Sequence, residues 1–251
     1  SFNESFFTYQ NIRKSWTRTK AFYLMPDSSL PVLYSFRRCP YAMRARMAIA
    51  KAGVVVQLRE VVLRSKPAHM VDISAKATVP VLQLTNGDVI DESIDVMLWV
   101  LSQSDPDAWL QEGFHEALAL IEENDGMFKP LLDRYKYFVN HPEHSQQYYR
   151  EQAAAFFELL ELKLVQHGAV GLLGARIGLA DVAIFPFIRQ FARVDLKWFS
   201  QSKFTRLVAW FENFERSELY LNVMNKYPAW NVGDATTVFP EHGSRGNINR
   251  L

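Results

Sequence analysis

From residue 30 the alternation of apolar and polar positions becomes regular. Residues 30–36 form a β-rich apolar run that stops at the polar break Arg37–Arg38. Pro40 opens a helical pattern that reaches Ala52. Ala42, Ala45, Ile49 and Ala52 recur on one face at three- and four-residue spacing. Their small side chains predict a helix pressed closely on a sheet, and Gly53 is placed to end it. Residues 54–62 are a second β-rich run, so this stretch reads as a β-α-β unit with parallel strands and a right-handed crossover. A short, weakly helical connection over 66–77 leads to a third strand at 80–84. Asn86-Gly87 is a hairpin signal into Val89-Ile90, which makes the third and fourth strands antiparallel. Glu92-Ser93 then opens a helix with Ile94, Met97, Leu98 and Leu101.

The order β-α-β-α-β-β-α predicts a thioredoxin-like domain. Residues 102–107 are polar and contain Pro106, a natural linker; beyond them the pattern is helical, with no good strand. Helices are predicted over about 109–138, 144–167, 179–194 and 203–225, with Pro130 and Pro186 expected to kink or reset two of them. The fold class is α/β plus all-α. Residues 1–29 form an N-terminal extension, 30–103 a thioredoxin-like domain, 108–232 a helical bundle domain and 233–251 an irregular tail.

The chain of 251 residues is 49% hydrophobic, enough for one large domain or two compact ones. Its 28 Lys and Arg against 27 Asp and Glu give a charge of +1, without the basic excess of a nucleic-acid binder. No apolar run approaches the ~18 residues of a membrane span. The one cysteine, Cys39, excludes a disulfide scaffold and suits a reducing, cytoplasmic setting. Residues 1–24 are basic and acid-poor. Met25 is read as the native start and 1–24 as an extension, an organellar targeting peptide being the alternative.

The chemistry centres on Arg37-Arg38-Cys39-Pro40-Tyr41-Ala42, where a strand turns into a helix. A thiol at a helix start faces free backbone N–H groups and follows two arginines, which predicts a lowered pKa. Arg37 and Arg38 read equally well as solvated charge. Ala42 stands where a dithiol motif has its second cysteine, so an external thiol must resolve any mixed disulfide. Thr78-Val79-Pro80 starts the third strand. Alone, that proline reads as an ordinary edge proline. Asp91-Glu92-Ser93 starts a helix, where a hydroxyl, free N–H groups and a carboxylate suit an α-amino acid end; the plainer reading is an N-cap. Trp109, Phe128 and Tyr135 read as core. No metal constellation is visible.

As a set, C-P-Y-A at Cys39 to Ala42, V-P at Val79-Pro80 and E-S at Glu92-Ser93 resemble the cytosolic glutathione transferases, in particular their cysteine-type, omega-like branch. The resemblance spans roughly Leu30 to Met224. It implies Cys39 as the catalytic thiol, Pro80 as a structural cis-proline, and Val79 pairing through its backbone with the cysteinyl part of glutathione. It further implies that Glu92 and Ser93 hold the γ-glutamyl end and that Lys66 reaches the glycyl carboxylate. Gly178-Leu179-Ala180-Asp181 matches a helix-capping box, with Gly178 replacing the usual hydroxyl and Asp181 structural.

The resemblance implies a homodimer with glutathione as co-substrate and a small electrophile or mixed disulfide as partner. The expected reaction is thiol transfer through a Cys39–glutathione mixed disulfide, including deglutathionylation and dehydroascorbate-type reduction. The alternatives are conjugation of small electrophiles with a hydroxyl from Tyr34, Ser35 or Tyr41 activating glutathione, a non-catalytic binding protein of the same fold, and, more distantly, a thiol peroxidase.

Overall fold

The computed structural model describes residues 30–111 and 113–241. The readings of residues 1–24 and of Met25 lie outside the described residues. Four strands follow the expected order: β1 (Val32–Ser35), β2 (Val56–Glu60), β3 (Val81–Gln83) and β4 (Val89–Ile90). β1 and β2 are parallel, with Leu33 opposite Leu58, while β1–β3 and β3–β4 are antiparallel. Between them run α1 (Pro40–Ala52), α2 (Ala68–Ile73) and α3 (Ser93–Gln103). Gly53, at φ +69, ends α1 in the left-handed conformation glycine adopts without steric cost.

Strand alternation divides the apolar side chains between two layers. Leu33, Leu58, Leu82 and Ile90 join the main core with α1 and α3. Val32, Tyr34 and Val81 face the other way and pack with Met70 of α2. The tail expected to be irregular forms a fifth strand, β5 (Thr237–Phe239), antiparallel to β2 with Phe239 opposite Val56. The sheet order is β4-β3-β1-β2-β5. Three β-favouring residues are too short a pattern to read from sequence, but they satisfy the otherwise open edge of β2.

The helical region begins with α4 (Phe114–Glu123), a π turn (Asn124–Phe128) and α5 (Lys129–Lys136). The single helix expected over 109–138 is thus shorter and widened in the middle. Pro130 has no amide to bond the carbonyl of Gly126, and the helix opens just ahead of it. A 3₁₀ turn (Phe138–Asn140) leads to α6 (Gln146–Gln166), capped by Ser145 Oγ accepting from Tyr148 N at 3.1 Å. Then come α7 (Leu179–Ala192), α8 (Leu196–Ser200), α9 (Thr205–Glu215) and α10 (Glu218–Val223). α7 continues through Pro186. The helix expected over 203–225 divides because Ser217 Oγ accepts from Tyr220 N and starts a new helix.

α1 packs against α3, α7 and α10, so it is covered well beyond its sheet face. That is why Arg44 and Arg46 are buried along with its alanines. Asp181 anchors the start of α7: it accepts from Leu172 N (2.9 Å), Gly178 N (2.9 Å) and Trp210 Nε1 (2.7 Å). Gly178 has no side chain to complete the reciprocal half of the box.

Candidate active site

Cys39 is the N-cap residue of α1, extended at φ −74 and ψ 125, with Pro40 at the first turn. β1 delivers it to the end of the sheet and α1 leads away from it. Its Sγ donates to the carbonyl of Val79 at 3.6 Å, and the Val79–Pro80 peptide bond is cis. The structure therefore brings Cys39, Val79 and Pro80 together, although they lie one β-α-β unit apart in the chain.

The electrostatics differ from the sequence expectation. Burial pushes the Cys39 thiol up from its ordinary value. Opposing this are backbone hydrogen bonds from Ala42 and Tyr41 and the charges of Arg46 and Lys129. The helix start does favour the thiolate, as expected, but desolvation outweighs it. The cations that act most on the sulfur are Arg46 and Lys129. Arg46 is fully buried and organises the approach loop. It donates to Ser35 Oγ (2.5 Å), the Phe36 carbonyl (3.3 Å), the Arg37 carbonyl (2.6 Å) and the Val223 carbonyl (3.1 Å). Burial lowers its pKa to about 10, which still leaves it charged at neutral pH. Sequence reasoning missed Arg46, Lys129 and Arg44; for the two arginines the signal available was their place on the largely apolar helix α1.

Ser93 is buried at the first turn of α3, where its Oγ accepts from Arg44 Nη1 at 3.3 Å. Glu92 occupies the N-cap position without capping through its side chain, and its exposed carboxylate pairs with Lys76. Lys76 also lies 3.6 Å from Asp91, which in turn accepts from Ser74 Oγ at 2.7 Å. Lys66 is exposed on the loop before α2, and among the described residues no contact joins it to Cys39, Glu92 or Ser93. Phe128, Tyr135 and Trp109 are core residues, all buried.

The hydroxyl alternatives are placed unfavourably for activating a thiol. Tyr34 is fully buried between His69 Nδ1 (2.7 Å) and Arg59 Nη1 (2.5 Å). Ser35 is buried under Arg46. Tyr41 rests edge-on against Phe187, and burial with nearby Asp125 raises its pKa to about 12.

A single thiol at a helix start, beside a cis-proline strand and followed by a helical domain, defines a protein of the glutathione transferase fold. The family models described as the glutathione S-transferase N-terminal and C-terminal domains match residues 33–108 and 107–213. A probable glutathione transferase of Aplysia californica is 33% identical over 92 residues, which are 37% of this chain and 94% of that protein. Glutathione S-transferase omega-1 of Sus scrofa is 24% identical over 208 residues, 82% of this chain and 80% of that one. A glutathione transferase from Phanerochaete chrysosporium, solved in complex with oxidized glutathione, superposes with a TM-score of 0.68 at 15% identity, over 79% of this chain and 96% of that chain. The chain belongs to the glutathione S-transferase family and has an omega-class relative.

Among the described residues no group of three or more His, Cys, Asp or Glu is arranged to hold a metal ion, and no helix is long and apolar enough to cross a membrane.

Proposed function

We propose that the protein is a glutathione-dependent thiol transferase acting through Cys39. The observation that supports this most is the position of Sγ, at the first turn of α1 and 3.6 Å from the Val79 carbonyl. The solved relative with oxidized glutathione supports a glutathionyl disulfide as the substrate type. On this reading the Cys39 thiol gives up its proton, and its sulfur attacks the glutathionyl sulfur of a mixed disulfide. The Cys39–glutathione bond forms as the old disulfide breaks, and the other thiolate leaves and takes up a proton. A second glutathione thiolate then attacks the glutathionyl sulfur held by Cys39, giving oxidized glutathione and the free enzyme. Val79 pairs with the cysteinyl part of glutathione, Glu92 and Ser93 hold the γ-glutamyl end, and Lys66 serves the glycyl carboxylate. Lys76, already paired with Glu92, shares that carboxylate with the ligand amino group.

The proposal includes a homodimer in a reducing, cytoplasmic compartment, where a single thiol stays reduced. The alternative of the same class is conjugation of glutathione to small electrophiles. Turnover of a glutathionyl mixed disulfide with reduced glutathione tests the choice. Cys39→Ser should reduce it to background. Retained turnover would overturn the cysteine mechanism, and conjugation of a chlorinated aromatic that survives the substitution would favour the alternative.

A further inference from the structure

Beside the Cys39 loop, where the thioredoxin-like domain meets the helical one, lies a cavity of about 440 Å³. Met43, Pro186 and Met224 give it an apolar floor. Its charged lining is entirely basic: Arg37 and Arg38 from the loop, Lys136 from the end of α5, Arg189 from α7 and Arg193 at its C-terminal cap. The carboxylate paired with this group is Glu215, which is not among the lining residues. It is 3.5 Å from Arg189 Nε and also pairs with Arg193. Among the described residues Arg37, Arg38 and Lys136 have no carboxylate within ion-pair distance. One polar atom of the lining, Gln190 Oε1, is buried without a hydrogen-bond partner.

The loop that bears Arg37 and Arg38 is fixed. Arg46 holds the Phe36 and Arg37 carbonyls, and the Arg37 amide donates to Glu60 Oε1 at 2.7 Å. The backbone that carries both guanidinium groups is therefore held beside the cleft, and Met43 stands one helical turn along from Cys39. Low-dielectric walls lined with one sign of charge concentrate ions of the opposite sign.

We infer that this cleft selects an anionic second substrate: a small organic molecule with an apolar body and carboxylate, sulfonate or phosphate groups, presented to Cys39 beside bound glutathione. The inference rests on the thiol-transfer reading for its reaction, but not for its binding. Guanidinium groups take such oxygens bidentately, which suits a dicarboxylate better than a single charge.

The test compares two mixed disulfides of glutathione, one with 2-mercaptoethanol and one with mercaptosuccinate, which adds two carboxylates. Binding is measured calorimetrically to the full-length Cys39→Ser protein, which cannot exchange. Turnover is measured with the wild type. The dicarboxylate should bind about tenfold more tightly at low salt, and most of this preference should vanish at about 0.5 M salt. Lys136→Glu should bring the ratio of the two affinities close to one. Arg38→Glu, on the exposed loop, is the second variant should the first fail to fold. Lys203→Glu, a charge reversal of the same size away from the cleft, should leave the ratio as in the parent. Equal affinities in the parent protein, or a preference that survives both cleft reversals, would overturn the inference. Preferential binding without turnover in the wild type would leave the cleft assignment standing and overturn the thiol mechanism instead.

Discussion

Arg44 grips the carboxylate of Asp125 with both terminal nitrogens, at 2.7 and 2.6 Å, and so ties α1 of the thioredoxin-like domain to the π turn of the helical one. The same guanidinium donates through Nε to the Ala183 carbonyl at 2.6 Å and through Nη1 to Ser93 Oγ. It also lies over the Phe187 ring, 4.4 Å from the centroid. One buried cation thus connects both domains to the proposed γ-glutamyl site.

Removing Asp125 leaves that cation buried and short of its counter-charge. Asp125→Ala should destabilise the fold by about 3 kcal/mol, the low end of the buried-pair range because the Asp125 side chain is one-third exposed. Urea unfolding measures the loss. The KM for glutathione should rise as well, because Arg44 also positions Ser93. A loss below about 0.5 kcal/mol would mean that the pair behaves as an exposed one.

Asp181 gives a pH dependence. Burial raises its pKa from 3.8 to about 6, against hydrogen bonds from Gly178, Leu172 and Trp210 that lower it. Its proton is therefore held more tightly in the folded chain than in the unfolded one. The stabilisation is full below the unfolded value and is lost as pH rises through about 6. Stability of the wild type minus that of Asp181→Asn should fall between about pH 4 and 6 and level off above. A difference that grows with pH would mean that the three donors hold a carboxylate.

Much of this architecture is legible in the chain, because its periods are clean. Small residues at 42, 45, 49 and 52 mark a helix against a sheet, and Asn86-Gly87 marks the hairpin. Cys39, Val79 and Pro80 are legible as a set only because the order of elements brings two distant segments to one end of the sheet. The sulfur's electrostatics are not legible. Local rules see a helix start and Arg37–Arg38, whereas the outcome depends on burial by residues far along the chain and on Arg46 and Lys129. Lys76 on Glu92, the π turn and β5 likewise depend on tertiary neighbours.

Because burial dominates at Cys39, the free protein should hold its thiol protonated at neutral pH. The rate of iodoacetamide alkylation should keep rising with pH beyond the ordinary thiol midpoint of about 8.5. A plateau reached near neutral pH would show that the helix start and Arg46 outweigh desolvation.

Trp230 secures the tail to the sheet. Its amide donates to the Glu60 carbonyl at 2.9 Å, Arg59 lies 4.2 Å from its ring centroid, and Tyr34 meets it edge-on. Trp230→Ala should cost about 1–2 kcal/mol in urea unfolding and increase hydrogen exchange along β2, whose outer edge β5 covers. Unchanged exchange at β2 would mean that β5 docks without Trp230.

Whether Cys39 accepts a glutathionyl group is read directly by intact-mass measurement. The protein is incubated with oxidized glutathione, weighed, treated with reduced glutathione and weighed again. With one cysteine in the chain, a single disulfide adduct locates itself. One glutathionyl adduct should form on the folded protein, faster as pH rises, and reduced glutathione should remove it. An adduct that forms only after denaturation would contradict the thiol mechanism, because Cys39 would then be a buried, inert thiol.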